Sequence, residues 1–202
     1  MTRIKICGIT NTEDLEAAVA YGADALGFIG VKNSPRYISE QGFYEITLDP
    51  PLFVPCVVVV DRVADADEYV PDYVQFYSDA PDQGGGQGYI RAFRIRDEAS
   101  LQELANYAYP AGAVLLDTYH ENKLGGSGET FNWDLAVEAK RLTTRPLILA
   151  GGLTPDNVQD ALQAVHPYAV DVSSGVESSP GVKDHAKVKA FIRAVREWDL
   201  RQ

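Results

Sequence analysis

PLILAGGLTPDNVQDALQAVHPYAVDVSSG, residues 146–175, decides the fold. It opens with an apolar run of strand length, 146–150, which stops at Gly151-Gly152. Thr154 followed by Pro155 predicts a helix over 155–165, because proline is tolerated in a first helical turn where its N–H would be unused anyway. A second apolar run, 169–172, passes into the polar turn Ser173-Ser174-Gly175. Strand, turn, helix and strand in this order make a parallel βαβ unit, and strands this uniformly apolar are covered on both faces.

The pattern recurs along the chain. Strands are predicted at 3–7, 25–29, 56–61, 73–77, 89–95, 113–118, 146–150 and 169–172. After the first, Asn11 or Thr12 caps a helix in which Leu15, Ala18 and Val19 share a face and which Gly22 stops. The segments 98–107, 133–142, 155–165 and 185–198 repeat the helical pattern. Eight strands with such crossovers predict one α/β domain over residues 1–202, a compact (β/α)8 TIM barrel. The fourth crossover departs from the rule. SDAPDQGGGQG at 78–88 has a glycine cluster and hardly any apolar face, so a degenerate, loop-like connection is expected there.

The 18 basic residues against 29 acidic ones give a formal net charge of -11, which repels nucleic-acid backbones and anionic membrane surfaces. Neither is expected as a partner. Cys7 and Cys56 both lie in apolar β-branched runs, the setting of buried thiols in a reducing compartment rather than of a disulfide framework. The beginning MTRIKICGIT has no long apolar core before a cleavage site, and no run approaches about 18 apolar residues. A cytoplasmic location is expected; monomer and homodimer both stay open.

In a barrel of this kind the active site is built at the C-terminal ends of the strands. The polar residues there are Cys7 with Gly8, Asp117 with Thr118, Gly151-Gly152, and Asp171 through Gly175. Glycine-rich turns after the seventh and eighth strands can aim backbone N–H groups at a phosphate. Taken alone, Cys7 also reads as a small buried hydrophobe and Asp117 as a loop cap. Arg36, after the second strand, reads either as a solvated charge or as a carboxylate fork over the mouth.

Seven stretches, in this order, resemble the phosphoribosylanthranilate isomerase family: KICGIT at 5–10, GADALGF at 22–28, SPRYI at 34–38, LLDT at 115–118, GGSG-TF at 125–131, LAGGLTP-NV at 149–158, and AVDVSSGVESSPGVKD at 169–184. Only 43–88 is poorly matched. The resemblance implies a phosphorylated small-molecule substrate, N-(5-phosphoribosyl)anthranilate, rearranged to 1-(2-carboxyphenylamino)-1-deoxyribulose 5-phosphate without metal or organic cofactor. It implies that Asp117 protonates the furanose ring oxygen and that Cys7 removes the C2 proton. It assigns the anthranilate carboxylate to Arg36, the phosphate to Gly152, Ser173, Ser174 and Gly175 beside Gly151, and a supporting role to Asp171.

Those roles make chemical demands. An acid working near neutrality needs a site that raises its pKa above the ordinary value of about 3.9. A thiol, ordinarily at about 8.5, must be drawn down or act through a small thiolate fraction. The chain also departs from the family pattern. Where VQLHG is usual, it has Val74-Gln75-Phe76-Tyr77-Ser78, so Gln75 is kept and a histidine becomes Tyr77; in GGSGKTFDW the lysine becomes Glu129 and the aspartate Asn132. Gln75 and Tyr77, two apart on a strand, share a face. Tyr77 then either supplies the histidine's hydrogen bond or only packs. Two rival readings are a related sugar-phosphate aminoaldose isomerase, which works with two aspartates where this chain has Cys7, and a catalytically silent phosphate-binding barrel, against which the pair Cys7 and Asp117 argues.

Overall fold

A computed structural model describes residues 1–49, 53–77, 88–108, 110–117 and 133–202. Eight short strands close into a barrel: β1 (Arg3–Cys7), β2 (Ala25–Ile29), β3 (Cys56–Val60), β4 (Tyr73–Phe76), β5 (Tyr89–Arg94), β6 (Ala113–Asp117), β7 (Leu147–Ala150) and β8 (Ala169–Val172). Each pairs in parallel with the next, and β8 returns to β1 through the register Arg3↔Ala169 to Ile6↔Val172. The helices are α1 (Thr12–Tyr21), α2 (Glu40–Ile46), α3 (Glu98–Asn106), α4 (Trp133–Leu142), α5 (Val158–Val165) and α6 (His185–Asp199). After β8 the chain forms a small antiparallel hairpin of β9 (Glu177–Ser179) and β10 (Val182–Lys183).

The barrel is thus the predicted (β/α)8 fold. Alternation along the strands sorts the side chains into two layers. Ile4, Ile6, Phe28, Val58, Phe93 and Leu149 point outward and pack with Ala18, Leu101, Ala139, Leu162 and Phe191 of the helices. Val57, Ile90, Ala92, Leu115, Ile148 and Ala169 point inward and fill the barrel. Strands buried on both faces need apolar residues at every position, which is why they read as unbroken runs.

Several boundaries shift. The predicted strands 56–61, 73–77, 89–95 and 146–150 are each one residue longer than observed, because their end residues stand beyond the last ladder pairing. The helix predicted at 155 begins at Val158. Asn157 is the cause: its Oδ1 accepts the Thr154 N–H at 2.8 Å and its Nδ2 donates to the Gly152 carbonyl at 2.9 Å, holding the preceding residues in a turn. Asn11 caps α1 by accepting the Asp14 N–H, and Gly22 ends it in the left-handed region at φ 99°. Among the elements not foreseen are α2, capped by Ser39 and burying Phe43, the β9–β10 hairpin, and short 3-10 turns at Val63–Ala66 and Ser174–Val176. Of the degenerate crossover expected at 78–88, all but Gly88 lies outside the described residues, as does Thr118. Among the described residues no helix is long and apolar enough to cross a membrane.

Candidate active site

The inward positions of the strands turn polar towards their C-terminal ends, and β1 shows how room is made. Cys7 is paired in register with Gly27 of β2, and a Cβ at Gly27 would stand 2.7 Å from the Cys7 sulfur. Glycine there is what lets the thiol lie across the barrel interior, where it is 5% exposed. The next residue, Gly8, turns the chain at φ 77°. A side chain at Gly8 would strike Arg36 Cδ and Ser173 Oγ, 2.7 and 2.9 Å from its Cβ, so the end of β1, the loop after β2 and the turn after β8 meet at one point.

Across the mouth, Asp117 ends β6. The Tyr77 hydroxyl donates to its Oδ2 at 3.3 Å, and the Arg94 guanidinium lies 4.7 Å from the centre of the Tyr77 ring. Tyr77 also packs against the interior apolar cluster, so it both packs and hydrogen-bonds. Burial, helped by the nearby Asp171 carboxylate, pushes the Asp117 pKa above the ordinary carboxylate value; Tyr77, Arg94 and Lys5 pull the other way without reversing it. The direction is the one a general acid requires. Cys7 is also pushed up, first by burial, although Lys5 and Lys183 draw it down. Of the two routes open to the thiol, a small thiolate fraction is the one this environment allows.

Beneath these groups lies a buried network. Lys5, 4% exposed, donates from Nζ to Gln75 Oε1 at 3.0 Å and to Asp171 Oδ1 at 3.1 Å. Above it, Glu177 accepts both arms of the Arg36 fork, from Nε at 2.8 Å and Nη2 at 2.7 Å, and the Lys183 ammonium at 2.9 Å. Lys183 also donates to the carbonyls of Cys7 and Ser173. Arg36 is therefore a held fork rather than a solvated surface charge. Lys5, Glu177 and Lys183 were missed in the sequence. For Lys5 the signal was present: it lies two residues before Cys7 on the same strand face, and a lysine inside a barrel must be paired.

The turns after β7 and β8 form the rest of the mouth. Gly151 and Gly152 are consecutive left-handed residues, at φ 87° and 65°, a path that side chains other than glycine rarely adopt. Gly175 is required for another reason: a Cβ there would lie 1.9 Å from the Leu153 carbonyl oxygen, so the two turns touch backbone to backbone. Ser173 Oγ is buried and has no hydrogen-bond partner among the described residues. An orphaned donor costs about 1–3 kcal/mol, and a ligand rich in acceptors such as a phosphate would relieve it. A cavity of about 460 Å³ opens at the opposite, N-terminal end between Arg3, Tyr73, Pro146 and Tyr168, away from Cys7, Asp117 and both turns. Among the described residues no group of three or more His, Cys, Asp or Glu side chains is gathered as for a metal ion.

Residues 4–194 match the sequence profile of the family described as N-(5'phosphoribosyl)anthranilate (PRA) isomerase. The chain belongs to the phosphoribosylanthranilate isomerase family. The N-(5'-phosphoribosyl)anthranilate isomerase of Geobacter sulfurreducens is 46% identical over 207 residues, covering 98% of this chain and 100% of that protein. The phosphoribosyl anthranilate isomerase of Thermotoga maritima superposes with a TM-score of 0.84 at 37% identity, over 98% of this chain and 100% of that one. Another solved phosphoribosyl anthranilate isomerase, in complex with reduced 1-(o-carboxyphenylamino)-1-deoxyribulose 5-phosphate, gives 0.82 at 34% identity over 98% and 100%.

As a member of the phosphoribosylanthranilate isomerase family the chain is an enzyme, an isomerase of tryptophan biosynthesis. Cys7, Gln75, Tyr77, Asp117, Asp171 and the turn residues Gly151, Gly152 and Ser173 to Gly175 lie at strand ends or on the inward faces leading to them, and Arg36 reaches the end of β1 from the loop after β2. Ser78, Glu129 and Asn132, where the chain departs from the family pattern, lie outside the described residues.

Proposed function

We propose that this chain, as one barrel domain over residues 1–202 working in the cytoplasm, carries out the Amadori rearrangement of N-(5-phosphoribosyl)anthranilate to 1-(2-carboxyphenylamino)-1-deoxyribulose 5-phosphate. Asp117 is the general acid and Cys7 the general base. Asp117 gives its proton to the furanose ring oxygen as the C1–O bond breaks, leaving a protonated Schiff base between C1 and the anthranilate nitrogen. The Cys7 thiolate takes the proton from C2, and the electron pair of that bond neutralises the iminium as an enolamine. In the tautomerisation the C2 hydroxyl of the enolamine loses its proton and C1 gains one, which yields the C2 ketone.

The carrying observation is a half-buried carboxyl with a raised pKa facing the same mouth as a buried thiol, with cations beside the thiol. Around this pair, Arg36 receives the anthranilate carboxylate, with Nε and Nη2 already braced by Glu177. Gly151, Gly152, Ser173, Ser174 and Gly175 receive the phosphate, and the unpartnered Ser173 hydroxyl supports that assignment. Gln75 and Asp171 hold the floor through Lys5.

The test is incubation of the folded protein with freshly made N-(5-phosphoribosyl)anthranilate. Its fluorescence should fall as the rearranged product forms. Persistence of the signal with folded protein would overturn the reading. Equal turnover of the histidine-pathway aminoaldose would favour the broader aminoaldose isomerase instead.

A further inference from the structure

Lys5 is a buried cation that the proton transfers above do not use. Its aliphatic stem and the Cys7 side chain fold over the same neighbour: one point, the Cβ position of Gly27, lies 3.0 Å from Lys5 Cε and 2.7 Å from Cys7 Sγ. From there Nζ reaches Gln75 and Asp171. Lys5, 4% exposed, has little access to solvent, so its charge is felt at short range with little screening.

The balance of charge around the sulfur is uneven. Among the described residues Lys5 from β1, Lys183 from β10 and Arg36 from the loop after β2 are cations that face Cys7, as do Asp171 of β8 and the neutral Tyr77 beyond β4. Arg36 and Lys183 share the carboxylate of Glu177, while Lys5 has that of Asp171. Among the described residues three cations thus stand against the two carboxylates they pair with, Lys5 also facing the Asp117 carboxyl, and a Cys7 thiolate offsets the surplus of positive charge. Of the influences opposing burial of the thiolate, Lys5 is the largest.

We infer that Lys5 is a positioning residue of the isomerisation: its ammonium is the counter-ion of the Cys7 thiolate, and it fixes Gln75 and Asp171 beneath the substrate. The inference rests on the reading of Cys7 as base. The thiolate forms by loss of the thiol proton to solvent before the substrate reacts, then becomes a thiol again on taking the C2 proton. Lys5 keeps its own proton throughout.

The test is Lys5→Met, which keeps length and removes charge. Thiolate formation is followed by ultraviolet absorbance against pH, with the Cys7→Ser protein subtracted so that Cys56 and the tyrosines cancel. The Cys7 titration, and with it the acidic limb of kcat, should move up by about one unit, lowering kcat about tenfold at neutral pH while KM stays within about twofold. Where Lys5→Met alone fails to fold because Asp171 is stranded, the double variant Lys5→Met/Asp171→Asn leaves no unpaired charge and should still titrate higher than the parent. An unchanged Cys7 titration in Lys5→Met, or a double variant restored to the parental profile and kcat, would overturn the role of Lys5. Retained turnover in Cys7→Ser would instead strike the assignment of the base, an outcome read from a different protein.

Discussion

Asp117 shows how a side chain can be tuned for chemistry at the expense of stability. Its folded pKa is raised, chiefly by burial, so between its unfolded and folded pKa values the native state holds a proton that the unfolded chain has lost. Stability therefore falls as pH rises through that window and stays lower above it. Asp117→Asn removes the ionisation, keeps the shape, and is expected to raise the melting temperature at neutral pH while abolishing turnover; a lower melting temperature would mean that the carboxylate is structural. Tyr77 acts on the same group. Its hydroxyl, donating to Asp117 Oδ2, favours the charged form, so Tyr77→Phe should let Asp117 hold its proton to higher pH. We expect the alkaline limb of kcat to move up and kcat/KM to fall about fivefold through lost orientation, about 1 kcal/mol, with melting temperature unchanged. Loss of stability alone would leave Tyr77 a packing residue.

At the level of elements, the contact between the turns after β7 and β8 is a single point where a methyl group cannot be placed. Gly175→Ala must separate the two backbones, since its Cβ would sit 1.9 Å from the Leu153 oxygen. The proposed phosphate site is shared between these turns, so KM should rise at least about tenfold, the equivalent of about 1.4 kcal/mol of binding, with a smaller change in kcat. A dephosphorylated product analogue should bind more weakly to the parent and lose little further in the variant. An unchanged KM would remove the phosphate from these turns. Much of this architecture was legible in the sequence because parallel strands covered on both faces write themselves as unbroken apolar runs and because Asn11 and Gly22 are strong helix punctuation. The seven-residue α2 was not, since only Phe43 of it is buried and one apolar anchor makes no periodicity. At the site, Cys7 and Asp117 were visible as polar ends of apolar strands. Glu177 was not, because its meaning comes from Arg36, 141 residues away in sequence, and local spacing carries no such information.

Across the whole molecule, closure of the barrel joins the two ends of the chain. Arg196 of α6 donates to the Thr2 carbonyl at 2.7 Å and to Asp24 Oδ2 at 2.6 Å, while Asp24 also accepts the Ile4 N–H at 2.9 Å and Asp199 accepts the Thr2 N–H. Burial alone would raise the pKa of Asp24, but hydrogen bonds from Arg196, Arg3 and Ile4 hold it below the ordinary value. A depressed folded pKa contributes stability that is present above the unfolded value of about 3.9 and is lost as pH falls through the folded one. Asp24→Asn should lower the unfolding free energy near neutrality by about 1–3 kcal/mol in denaturant titrations and flatten its acid dependence. Equal stability at all pH values would mean that this junction contributes nothing. The barrel so closed exists, on our account, to hold one acid and one base across a single mouth. The most direct test is single-turnover kinetics with N-(5-phosphoribosyl)anthranilate carrying deuterium at C2, comparing the parent with Cys7→Ser and Asp117→Asn. A primary isotope effect is expected in the parent and a loss of about 10²–10⁴-fold in each folded variant; near-parental rates in Cys7→Ser and Asp117→Asn would contradict the pairing of acid and base.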